Sequence, residues 1–125
     1  MVHELISLLS FDTTLARITA AIEGAGMNVF AVIDHAANTR QVGLTMLPAT
    51  VLIYGNAKGV TPIMQAVPEV ALDLPLRVLV RQDADGRTLV LFHPAEPMLR
   101  QAGVPDALAT RLDPAQHLLA AAIQP

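Results

Sequence analysis

This 125-residue sequence predicts an α+β fold, in which a mixed, largely antiparallel sheet packs against helices and the chain opens with a β-α-β unit. Three observations carry that prediction. Phe11, Leu15, Ile18, Ile22 and Ala25 recur at steps of four and three, which puts all five on one stripe of a helix. The run Asn28 to Asp34 is rich in β-branched and aromatic residues and polar at both ends, as a strand should be. Leu76 to Gln82 and Arg87 to Phe92 enclose Asp83-Ala84-Asp85-Gly86, whose Asp-Gly step supplies the positive dihedrals of a hairpin turn.

The remaining elements follow in order. Val2 to Leu9 reads as a strand leading into the first helix, with Ser10 as N-cap, Asp12 favourable against the helix dipole, and Gly24 and Gly26 ending the helix. His35 to Gln41 is polar and helix-compatible. Leu44 to Leu47 and Thr50 to Tyr54 are extended pieces flanking Pro48, which belongs at a turn or strand start because it cannot donate to a ladder. Gly55 to Gly59 reads as a loop. Thr61-Pro62 reads as the start of a short helix, Thr as N-cap and Pro in first position, that runs to about Val67 and stops at Pro68. Pro94 and Pro97 introduce a helix through Met98 to Ala102, and Asp113-Pro114 begins a last one carrying Leu118, Leu119, Ala122 and Ile123.

Composition narrows the function classes. The length fits one domain, residues 1–125, able to bury roughly two-thirds of its unfolded surface. The chain is 53% hydrophobic but only 3% aromatic, so its interior is built from aliphatic side chains. A net charge of -3 and the lack of any Lys/Arg cluster remove the footprint that nucleic acid requires. With no cysteine there are no disulfides, thiolate metal sites or cysteine nucleophiles, which fits a reducing compartment. The N-terminal segment has no signal-peptide pattern, and the longest apolar runs, Val29 to Ile33 and Leu118 to Ile123, are far shorter than the roughly 20 residues that span a bilayer. The expectation is a cytoplasmic protein with no membrane and no nucleic acid partner.

Several short motifs lie in a fixed order along the middle of the chain. They are Phe30 to His35 with Ala36, Gly43-Leu44, Pro48 to Leu52, Tyr54-Gly55-Asn56, Thr61 to Met64, and Ala71 to Val78. In these the sequence resembles the domain of unknown function 302 family, most strongly over residues 11–93. The resemblance implies a compact domain of helices and antiparallel strands, and dimerisation by exchange of a β-hairpin. It implies no activity and names no cofactor. The chain departs from the family pattern at Ala57, where Pro commonly follows Gly-Asn, and at Thr39, where a small apolar residue is typical.

The candidate ligand-binding residues are Asp34, His35, Tyr54, Asn56, Lys58, Thr61 and Asp73. Asp34 and His35 end a strand, where polar groups can converge, and His35 is the candidate general base if the protein is an enzyme. The blander role gives Asp34 the cap of the turn that follows. Gly55 to Gly59, with Lys58 and a nearby helix start, offers amides and a cation to a small anion, but lacks a phosphate-loop signature. Asp73, between Leu72 and Leu74, must be paired or exposed, and anchoring the Gly55 to Gly59 loop is its structural role. His3, His35, His93 and His117 show no metal spacing, so no metal site is assigned; one would have to assemble through the fold from His35, His93 and Asp34. Ser7 and Ser10, the only serines, lie outside any hydrolase elbow. The leading expectation is a dimeric domain that binds a small-molecule or anionic ligand without catalysis. Its rivals are an enzyme for a small polar or anionic substrate and a protein-interaction module using an exposed β edge.

Overall fold

The computed structural model describes all 125 residues. Its elements are β1 (His3–Ser7), α1 (Phe11–Gly24), β2 (Asn28–Asp34), α2 (His35–Gln41), β3 (Ala49–Gly55), α3 (Ala57–Ala66), β4 (Leu76–Gln82), β5 (Thr88–Phe92), α4 (Ala95–Gln101), α5 (Asp106–Ala109) and α6 (Asp113–Ala122). A 3-10 turn, Pro68–Asp73, joins α3 to β4. The five strands form one sheet in the order β1-β5-β4-β3-β2, and all four pairings are antiparallel. The β-α-β opening is present, yet β1 and β2 do not pair. They are the two edges, and α1 crosses the whole sheet between them.

Alternation along the strands sorts the side chains onto two unlike faces. On one, Thr50, Leu52 and Tyr54 stand opposite Val80, Val78 and Leu76, and Val80 stands opposite Val90. These are 5% exposed or less and join Ile18 and Ile22 of α1, Leu99 of α4 and Leu119 of α6 in the core. On the other face, Ile33, Val51, Leu79 and Leu91 form one register row that ends at Glu4 on the β1 edge. None of the four apolar residues in that row belongs to the core or packs against it.

Local chemistry sets the element ends. Ser10 accepts the Thr13 N–H and caps α1, as its sequence position predicts. The buried hydroxyls of Ser7 and Thr14, 2.7 Å apart, tie β1 to that helix. In the hairpin turn, the Asp83 carboxylate accepts from the Asp85 and Arg87 amides and the Arg87 Nε, while Gly86 takes φ +82. Burial pushes the Asp83 carboxyl up, but its hydrogen bonds and the Arg87 charge outweigh this and hold it below the usual carboxylate range.

Candidate functional site

β3 delivers the chain to the end of the sheet at Gly55, and the next residue starts a helix. Asn56 is extended, with φ -142, and its Oδ1 accepts the Gly59 N–H at 2.7 Å. This cap corrects the expectation that Gly55 to Gly59 is a loop and that Thr61 begins the helix. α3 starts at Ala57, Lys58 lies exposed in its first turn, and Thr61 sits inside it without capping anything. A side chain at position 59 would meet Asn56 Oδ1 at 3.2 Å, so glycine there lets the cap approach. Asn56→Ala should lower stability by about 0.5–2 kcal/mol, the usual worth of an N-cap, while Asn56→Asp keeps most of it. Urea unfolding midpoints check this, and unchanged midpoints would remove the capping role.

The misplaced helix start has a physical reason. Pro62 lies inside α3, where it has no N–H to give the carbonyl four residues back, that of Lys58. Arg111, in the segment between α5 and α6, supplies donors from outside. Its Nη2 lies 3.4 Å from the Lys58 oxygen, and its Nε donates to the Gly59 oxygen at 3.0 Å. A proline that would ordinarily mark a helix start is thereby accommodated in the interior.

Between this helix start and α6 lies a cavity of about 220 Å3, lined by Asn56, Gly59, Val60, Arg111, Ala115 and Leu118 among others. Its walls are mostly apolar. Arg111 on it and the N-terminal end of α3 favour negative charge, while Lys58, in the same first turn, is exposed and outside the lining. Tyr54, expected to face a ligand, is instead fully buried and donates its hydroxyl to the Ala115 carbonyl at 2.8 Å. Burial pushes its phenol well above the ordinary range.

The other expected site residues stand elsewhere. Asp34 pairs across the ladder with Thr50, whereas Gly55 pairs with Asn28 at the far end of the same two strands. Asp34, whose carboxylate caps α2 by accepting the Ala37 N–H at 2.9 Å, and exposed His35 are therefore separated from Asn56 by nearly the length of a strand, roughly 17–20 Å. The single pocket of Asp34, His35, Tyr54, Asn56 and Thr61 does not assemble. Asp73 is exposed, makes no hydrogen bond to the 55–59 segment, and lines a second cavity with Arg77 and His93. No three His, Asp or Glu side chains gather as metal ligands, so His35, His93 and Asp34 do not form the site that the fold would have had to assemble. Arg111 and Gln116, which tie the α5–α6 region to distant carbonyls and amides, escape sequence reading because their partners lie 21 to 52 residues away.

Fold and recess together define a small α+β domain, its antiparallel sheet covered by helices on one face and hollowed at one end. The chain belongs to the domain of unknown function DUF302 family, which it matches over residues 3–124. An uncharacterized conserved protein DUF302 from Bacillus stearothermophilus has the same fold, with a TM-score of 0.82 over 98% of this chain and 94% of that one at 17% identity. The fluoride-specific ion channel FluC 1 of Brucella suis is 38% identical over 87 residues, which are 69% of this chain and 34% of the channel protein. Its counterpart from Brucella abortus is also 38% identical over 87 residues, 32% of its length. The chain thus spans about a third of these channel proteins, and none of its helices is long and apolar enough to cross a membrane.

Proposed function

We propose that the protein is a cytoplasmic, homodimeric domain that binds a small anion with an apolar body and performs no chemistry of its own. The cavity between α3 and α6 carries this reading, because it joins apolar walls to a rim holding Arg111. At about 220 Å3 it suits a ligand smaller than the drug-sized molecules that fill roughly 300–1,000 Å3. The enzyme reading loses its general base, since His35 lies at the other end of the strands from Lys58 and Asn56. The partial likeness to Brucella fluoride channels fits a domain that accompanies an anion-handling membrane protein, and makes fluoride a necessary probe beside an organic anion.

Dimerisation is supported by the face of the sheet turned away from the core. The row Ile33, Val51, Leu79 and Leu91 is partly exposed and packs on no part of the core, and Ile6 beside it is 54% exposed, so this face offers apolar surface to a second copy. Each chain completes its own five-stranded sheet, so face-to-face stacking needs no hairpin exchange.

Both parts are tested in one set of samples. Titration with sodium benzoate at constant ionic strength should shift the amide resonances of Ala57, Lys58 and Gly59, and Lys58→Ala should weaken binding several-fold. No shift below about 10 mM, the scale of very weak binding, would end the ligand reading, and a response to fluoride alone would replace the organic anion. Sedimentation equilibrium should give a dimer that Leu79→Asp dissociates. A wild-type monomer at about 100 μM would remove the dimer.

A further inference from the structure

A second cavity, of about 380 Å3, opens where β4 begins and β5 ends. Its polar lining includes Asp73, Arg77 and His93, and its apolar lining includes Leu72, Leu76 and Met98. Buried Leu76 is a wall of both cavities. The charges in this recess are uncommitted. Arg87 and Arg100 are paired with carboxylates, whereas Arg77 makes no ion pair or side-chain hydrogen bond, and neither does Asp73. His93 places Nδ1 2.9 Å from the Met1 carbonyl. A carbonyl can only accept, so Nδ1 is the donor, and the tautomer protonated there has Nε2 as its acceptor. Leu72 lies at the rim 85% exposed.

One recess therefore offers a free guanidinium, a free carboxylate with an imidazole acceptor, and apolar surface. A simple anion would satisfy the first and be repelled by the second, and a simple cation the reverse. We propose that this is a binding site for a small zwitterion with an aliphatic tail, the chemistry of a free aliphatic α-amino acid. The carboxylate meets Arg77, the ammonium is received by Asp73 and His93 Nε2, and the tail covers Leu72 and Met98. This site is separate from the cavity at Asn56 and does not depend on an anion binding there.

The test is an amide chemical-shift titration of the full chain with three probes: L-leucine, 4-methylpentanoate, which lacks the ammonium, and 3-methylbutylamine, which lacks the carboxylate. Leucine should move the resonances of Leu72, Asp73 and Arg77, and each truncated probe should bind about tenfold more weakly or worse, the scale of one lost charge-assisted contact. Arg77→Ala should abolish the advantage of leucine over the amine, and Asp73→Asn its advantage over the pentanoate. Both residues are exposed, so the fold survives these changes. Equal binding of all three probes, shifts confined to Asn56 and Gly59, or no response up to about 10 mM would each overturn the proposal.

Discussion

Tyr54→Ala should lower the free energy of unfolding by about 3–5 kcal/mol, the range for removing a fully buried aromatic ring. Tyr54→Phe should cost only about 1 kcal/mol, since it keeps the ring and loses one hydrogen bond, from the hydroxyl to the Ala115 carbonyl. Urea unfolding of the two variants separates packing from hydrogen bonding. The same residue gives a pH signature. Burial raises the phenol pKa in the folded state, so the folded protein keeps that proton where the unfolded chain begins to lose it. Tyr54's contribution is therefore complete below the ordinary tyrosine range, near pH 10, and is lost as pH rises beyond it. Tyr54 is the only tyrosine and there is no tryptophan, so phenolate absorbance reports this ring alone. It should appear only with unfolding, and Tyr54→Phe should remove this part of the alkaline sensitivity. A phenolate signal at pH 10 in a folded sample would put the ring in water.

Gln116→Leu should cost about 2–4 kcal/mol, because it strands two backbone groups, each worth roughly 1–3 kcal/mol when left unmet. The Gln116 side chain is 5% exposed. Its Oε1 accepts the Ala95 N–H, and its Nε2 donates to the His93 carbonyl, both at 2.9 Å. Ala95 opens α4, and the residue before it is Pro94, which has no side chain able to cap. Gln116 thus does from α6 what a local N-cap does elsewhere. Hydrogen exchange should show α4 amides opening faster in the variant while the β4–β5 hairpin keeps its protection. Equal acceleration everywhere would mean that the loss is spread through the fold rather than seated at α4.

The elements legible in the sequence were those whose cause is local. The stripe Phe11 to Ala25 marks α1, Ser10 its cap, and Asp85-Gly86 the hairpin, because each depends on residues within a turn or two. Strand order was not legible. Nothing near β1 says that it pairs with β5 and leaves β2 for the opposite edge. The start of α3 is not legible because Thr61-Pro62 has the pattern of a helix N-terminus, while Asn56, an equally good cap, stands earlier. What lets the earlier cap win is Arg111, some fifty residues on. For the candidate site, Asn56 lines a cavity, whereas Lys58 lies exposed on the first turn of α3 and is not part of the lining. Tyr54 is a core residue whose one polar atom is satisfied internally, and Asp34 does the capping that its position before α2 allows.

Arg111 holds two helical carbonyls of α3, and this changes what binding at that recess would demand. A guanidinium on the protein surface ordinarily samples many rotamers, and fixing it on a ligand costs about 0.5–1.5 kcal/mol. Here that freedom is given up when the chain folds, before any anion arrives. A ligand of the proposed kind would therefore meet a charge in a set place, and the recess would discriminate by where that ligand carries its acceptor rather than by adjusting to it.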